Sequence, residues 1–168
     1  MHQKTTFTVV WIVVALVTSG CWYSKPAVAP AVQAVTEPIV TGSFVVGPRT
    51  FTPYKFVVTT GMSKPRLEGT LSAQGARNDI EVTVLDEAQF THWQNRDDFK
   101  ATYESGRVTD TTLNVHLPET PATYYVVFSN RFSLMSNKAV TANVQLCYDR
   151  ENLGAPSGGR GRNNYRRQ

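Results

Sequence analysis

The chain has 168 residues, of which 41% are hydrophobic and 18% charged, a balance that is typical of a globular domain and excludes a disordered or fibrous protein. Its net charge of +4 lies at the two ends. The first 20 residues contribute one positive charge and residues 151–168 contribute three, so residues 21–150 are neutral overall. Because a folded surface that grips phosphates needs clustered basic residues, this balance excludes a nucleic-acid-binding body.

The first 20 residues have the organisation of an export signal. A polar start carrying Lys4 leads into an apolar run over residues 7–17, and small residues follow at 18–20. This run has 11 residues, whereas a helix needs about 20 apolar residues to span a bilayer. We therefore predict a cleaved signal peptide over residues 1–20 and a mature protein that faces away from the cytoplasm.

The segment Thr-Ser-Gly-Cys that ends at Cys21 resembles the lipobox of bacterial lipoproteins, in which the cysteine is acylated and becomes the first mature residue. The resemblance implies a lipid anchor on Cys21 and, because Trp22 rather than Asp follows it, sorting to the outer membrane in a Gram-negative envelope. Two alternatives stay open. Cys21 could be a small residue that ends an ordinary signal, or cleavage could follow Ala29, although Pro30 directly after that bond would obstruct a peptidase.

Composition divides the mature chain into three parts. Residues 21–38 are rich in Pro and Ala and show neither alternation nor helical spacing, which predicts an extended tether. Residues 39–150 form the domain. Residues 151–168 have no apolar run and carry four arginines, so we expect a disordered Gly/Arg tail that either contacts an anionic envelope surface or is simply solvated.

Within the domain, short β-rich runs alternate with Gly, Pro and Asn breakers, which predicts an all-β fold: an antiparallel β-sandwich or jelly roll of about eight strands with one short helix. The predicted strands cover residues 43–46, 54–60, 67–73, 79–85, 100–104, 111–117, 123–129 and 139–148. Alternation of Ile80, Val82 and Val84 with polar residues predicts one buried and one solvent-facing side of that strand.

The helix is predicted from Asp86, a favoured N-cap residue, with Gln89 three residues later. Phe90 and Trp93 then share one helical face, and we expect the helix to cross one end of the sandwich.

The last predicted strand has an apolar face that carries Val144 and Leu146 and a polar face that carries Gln145 and Cys147. If Cys21 is acylated, Cys147 has no partner for an intramolecular disulfide, and we expect it to be a quiet, partly covered thiol.

One run in the domain is similar to the C-terminal signature of the GOLD (Golgi-dynamics) domain, a β-sandwich of trafficking receptors. The matching residues are Tyr124, Phe128, Ser129, Asn130, Arg131, Ser133 and Lys138, with Gly69 and the strand that starts at Asp79 upstream. The resemblance spans about residues 42–148 and implies a sandwich with a role in protein or lipid contacts. Independently of any family, Asn130 and Ser133 can bond to backbone groups and stabilise a turn, so we expect a structural role for them.

The sequence contains no nucleophile elbow, phosphate-binding loop or dinucleotide motif, and its remaining histidines, His92 and His116, lack zinc-ligand spacing. We therefore predict a non-enzymatic protein without metal or cofactor, a lipoprotein that binds a protein or an envelope polymer. The alternative is a carbohydrate-binding accessory or weak hydrolase. Its candidate ligand contacts are the aromatic residues Phe90, Trp93 and Tyr103, although aromatics of this kind also seal the ends of sandwiches.

Overall fold

A computed structural model describes residues 31–152, which form two four-stranded antiparallel sheets. The strands are β1 (Ala31–Val46), β2 (Phe51–Val58), β3 (Ser63–Gly75), β4 (Ile80–Asp86), β5 (Tyr103–Val108), β6 (Asp110–His116), β7 (Ala122–Ser129) and β8 (Lys138–Asn152). A 3-10 turn, Ala76–Asn78, precedes β4, and one helix, α1 (Glu87–Asn95), follows it. The signal peptide, Cys21 and the tail beyond residue 152 lie outside the described residues.

The strand order is β1-β8-β3-β6 in the first sheet and β2-β7-β4-β5 in the second. Six of the seven connections cross from one sheet to the other, and only β4 and β5 are sequential neighbours within a sheet. Eight strands in this order form a double-sheet jelly roll. The predicted all-β sandwich is therefore confirmed, and each of the eight strands overlaps a predicted run. The poorest match is β5, which was predicted over residues 100–104 and begins three residues later.

The main core lies between the sheets because each strand points alternate side chains inward. In β8 the alternation is as predicted: Val144 and Leu146 are fully buried, whereas Gln145 faces outward. The packing is close enough that β8 and β3 meet at Gly69, where an added Cβ would lie 2.2 Å from the carbonyl oxygen of Asn143. Any larger residue would separate the two strands.

The boundaries of the domain are wider than predicted. Residues 31–38, expected in the tether, belong to β1 and pair with the end of β8, which itself continues to Asn152. Pro38 obscured this strand, because proline lacks the N–H that a ladder needs. It is tolerated here on an edge strand, at a register shift between Pro38 and Val40 that also interrupts the alternation.

The position of α1 also differs from the prediction. The carboxylate of Asp86 caps the helix by accepting from the backbone N–H of Gln89 at 2.8 Å, as expected. However, α1 does not cross an end of the sandwich. It packs on the outer face of the second sheet, against Leu85 and Val127. That face of β4, expected to be solvated, is therefore covered there, and Thr83 is buried.

Candidate functional site

The three aromatic residues proposed as ligand contacts do not form one surface. Phe90 and Trp93 are each only 8% exposed, because they seal α1 onto the sheet against Phe51 and Tyr125. Tyr103 packs against the core between the sheets, on the other side of β5. The structure thus favours the sealing role for this aromatic group.

Trp93 nevertheless contributes to the lining of a small cleft of about 250 Å³. Its other walls include the half-exposed ring of Phe99 and the carboxylates of Glu81 and Glu104. Glu104 lies opposite Thr83 in the β4–β5 ladder, so these side chains share the outer face with α1. An aromatic ring next to carboxylates can stack on a sugar and accept hydrogen bonds from its hydroxyls.

A second group of residues lies in the connection between β7 and β8, which we call the 130–137 loop. Its base is formed by Asn130, whose side-chain NH₂ donates to the backbone carbonyl oxygens of Val46, Gly47 and Ser136 at 3.2, 3.0 and 2.8 Å. Asn130 is fully buried, and its own N–H and C=O are bonded to neighbouring backbone as well. One side chain therefore joins this loop to the β1–β2 turn.

The serines of the loop complete this base. The hydroxyls of Ser133 and Ser136 lie 2.8 Å apart, and the backbone N–H of Ser133 donates to the carbonyl of Asn130. The structural role expected for Asn130 and Ser133 is thus what the hydrogen bonds show.

Lys138 connects the loop to the preceding 3-10 turn. Its ammonium is almost completely buried and donates to the carboxylate of Asp79 and to the carbonyl oxygen of Ala76. Burial opposes the charge on Asp79, but the hydrogen bond and charge of Lys138 outweigh it and hold the pKa of Asp79 below its ordinary value. Gly75 allows the close approach, since it has φ 134° and an added Cβ would lie 2.5 Å from the Asn137 carbonyl oxygen.

Arg131 links the same loop to the helix. Its guanidinium donates to the carbonyl oxygens of Trp93 and Gln94, the last turn of α1, at 2.9 and 3.3 Å. It also lies 3.9 Å from the ring centroid of Trp93 and 4.6 Å from that of Phe51. Arg131 thereby satisfies carbonyls that helix ends leave free, and its charge suits the negative end of the helix dipole. Burial lowers its pKa, and the charge of Arg96 adds to this effect.

The tip of the 130–137 loop has the opposite character. Leu134 is 65% exposed and Met135 is 91% exposed, although both are large and apolar. They border a groove of about 510 Å³ between the loop and the 3-10 turn, where Arg107 lies 4.1 Å from the ring centroid of Phe132. Sequence reasoning passed over these two residues. They could have been recognised as two large apolar residues between serines, in a segment that lies between two predicted strands.

The groove lies at the end of the sandwich opposite the start of β1. Ala31 pairs with Asn152 at one end of the β1–β8 ladder, and Val46 pairs with Lys138 at the other. Since β1 has 16 residues at about 3.3 Å each, the two ends are roughly 50 Å apart. We call the end that carries the 130–137 loop the far end.

Cys147 lies on the outer face of the first sheet and is 5% exposed. Its sulfur is 3.5 Å from a carboxylate oxygen of Glu68 and 3.8 Å from the hydroxyl of Thr36. Burial raises the pKa of the thiol and is the largest effect; the hydrogen bond with Thr36 opposes it, and the hydrogen bond and charge of Glu68 raise the pKa further. This environment fits the quiet thiol expected from the sequence, because the thiolate is the reactive form.

No protein-family model matches the chain, and no curated protein matches it either. Within residues 31–152, no helix is long and apolar enough to cross a membrane, and no three His, Cys, Asp or Glu side chains are grouped so that they could hold a metal ion.

Proposed function

We propose that this chain is a lipid-anchored lipoprotein of the cell envelope, facing away from the cytoplasm, whose jelly roll is a non-enzymatic binding or scaffolding module. The observation that carries the proposal is the far end: two exposed apolar side chains, Leu134 and Met135, on a loop whose base is held by the hydrogen bonds of Asn130 and Ser133. A contiguous patch of exposed large apolar side chains often marks an interaction site, whereas single exposed apolar residues are common on any protein surface. The similarity to GOLD domains supports the same kind of role.

The proposed anchor is Cys21, with outer-membrane placement if the envelope is Gram-negative. Cys21 lies ten residues before Ala31, where β1 begins. We call this end of the sandwich, opposite the far end, the near end. The far end would then face away from the membrane. A lipid anchor needs more than one acyl chain to be stable, so we expect a multiply acylated cysteine.

Metabolic labelling with a fatty-acid probe in a bacterial host tests the anchor. Labelling should be lost in Cys21→Ala and retained in Cys147→Ala, because Cys147 is buried in the domain. Labelling that survives Cys21→Ala would contradict the anchor.

Site-specific photocrosslinking in intact cells tests the binding surface. A photoreactive residue at Met135 should give discrete crosslinked adducts, whereas the same residue at Val57, an exposed apolar position of β2, should not. Val57 lies towards the near end of the sandwich and therefore serves as a matched control. Equal crosslinking at both positions would contradict a binding role for the far end.

A carbohydrate-binding accessory is the second candidate, and the cleft at Phe99 and Glu104 favours it. A glycan array would separate the two functions. Because Trp93 is buried under α1, Trp93→Ala would disturb the helix, so Phe99→Ala is the sharper variant and Lys100→Ala the control. Saturable sugar binding that Phe99→Ala abolishes and Lys100→Ala preserves would support the second candidate. The absence of such binding would contradict it.

A further inference from the structure

We propose that the groove between the 130–137 loop and the 3-10 turn Ala76–Asn78 binds a segment of a partner protein in which carboxylates alternate with apolar side chains. This inference rests on the proposed function, because it names the class of partner for the far end.

The charge of the far end favours a carboxylate-bearing segment. Arg77 lines the groove and is exposed, and within residues 31–152 no carboxylate lies within ion-pair distance of it. The acidic residue of the groove, Asp79, is already bound to Lys138. The charge that remains available is therefore positive.

The apolar part of the surface favours hydrophobic side chains between those carboxylates. Leu134 and Met135 form the rim of the groove, and the ring of Phe132 lies under the guanidinium of Arg107. Methionine and arginine are both enriched in protein interfaces, and methionine adapts to different partner shapes. Burying this rim would remove two large apolar side chains from water.

The two walls of the groove are held in place before any partner arrives. On one side, the side chain of Asn78 accepts from the backbone N–H of Gly75 at 2.9 Å, within a turn that places Arg77 at φ 68°. On the other side, Asn130 and Ser133 fix the loop. Lys138 joins the two walls. A prepared surface of this kind loses little conformational entropy on binding.

Other occupants fit less well. The membrane that would hold Cys21 is at the opposite end of the sandwich, roughly 50 Å away. A second copy would bring Arg77 towards another basic far end, and residues 153–168 of this chain carry four arginines and no acidic residue. A partner protein with negative charge avoids all three conflicts.

Fluorescence anisotropy with the full-length protein in detergent provides the test. The probes are three sets of short labelled peptides of equal length, containing Glu with Leu, Lys with Leu, and Glu with Ser. We expect the Glu/Leu set to bind most tightly and its affinity to fall as salt rises to about 0.15 M, because exposed charges are screened. Equal binding of the Lys/Leu set, or of the Glu/Ser set, would overturn the proposal.

Variants locate the binding. Replacing both Leu134 and Met135 by Ser should weaken Glu/Leu binding at least about tenfold, and Arg77→Gln should weaken it about threefold. Val57→Ser and Lys100→Gln, which change exposed side chains outside the groove, should have no effect. Unchanged affinity in the Leu134 and Met135 double variant would overturn the assignment.

Two further outcomes separate this inference from the proposed function. If anionic phosphatidylglycerol vesicles bind through Leu134 and Met135 more tightly than the peptides, the ligand is a membrane, and the partner-protein inference fails. If Met135 crosslinks in cells while no peptide set binds, the inference fails but the binding role of the far end stands.

Discussion

The base and the tip of the 130–137 loop are adjacent in the chain but differ sharply in burial and hydrogen bonding. Asn130, Ser133 and Lys138 are buried and make hydrogen bonds to the β1–β2 turn, to Ser136 and to the segment 76–79, whereas Leu134 and Met135 are exposed. Asn130, Ser133 and Lys138 are among the residues that resemble the GOLD signature, whereas Leu134 and Met135 are not. The comparison teaches that such a signature can mark the framework of a loop, while the side chains available for contact lie between its motif positions.

The largest effect should come from the core and sets the scale for the loop. Leu146 is fully buried between the sheets, so Leu146→Ala should lower the free energy of unfolding by about 4 kcal/mol. Gln145→Ala, at the neighbouring outward position, should change it by less than about 0.5 kcal/mol. Urea denaturation measures both, and equal losses would mean that the register of β8 is wrong.

The next largest effect on stability should come from the ion pair between Lys138 and Asp79, which joins the 130–137 loop to the 3-10 turn. Lys138→Met should cost about 3 kcal/mol at neutral pH, because it leaves the carboxylate of Asp79 partly buried without its partner. A loss below about 1 kcal/mol would show that the pair is dispensable and that base and tip differ less than we infer.

The same pair predicts a pH dependence. Because the folded-state pKa of Asp79 is lowered, its stabilising contribution is complete above the unfolded-state value of about 3.9 and is lost as pH falls through the folded-state pKa. Urea midpoints at pH 7 and pH 3 should therefore differ more in the wild type than in Lys138→Met. An unchanged pH difference in the variant would assign the acid sensitivity to other carboxylates.

Asn130→Ala should have an intermediate effect of about 2 kcal/mol, since it removes three hydrogen bonds and leaves buried carbonyl oxygens unpaired. The matched control is Asn137→Ala, at an exposed position of the same loop, for which we expect less than about 0.5 kcal/mol. Similar losses in both variants would mean that the loop is not fixed through Asn130.

The smallest effect on stability should come from the tip. Replacing Leu134 and Met135 by Ser should change the free energy of unfolding by less than about 0.5 kcal/mol, because exposed side chains contribute little to folding. Thermal unfolding of the double variant checks this. A loss above about 2 kcal/mol would show that the tip packs in solution, and it would remove the contrast with the base.

Much of the fold was predictable because its signals are local. Alternation in β8 and the Asp86 cap each depend on residues close together in the chain, and the structure agrees with both. The breakers were less reliable, because Pro65 lies within β3 and Gly106 within β5. The first twelve residues of β1 were not predicted as strand, since Pro38 and the adjacent register shift hide their alternation. Their identity as a strand depends on pairing with β8, 100 or more residues later.

The sequence by itself therefore determined an all-β domain of eight strands with one capped helix, and it predicted structural roles for Asn130 and Ser133. Only the tertiary structure decided that α1 covers the outer face of the second sheet, which turns Phe90 and Trp93 from candidate ligand contacts into packing residues. It also decided that Leu134 and Met135 lie exposed beside Arg77. The physical reason is that burial depends on contacts between residues far apart in the chain. The sequence shows that a side chain is apolar, but not whether the fold buries it or leaves it exposed to water.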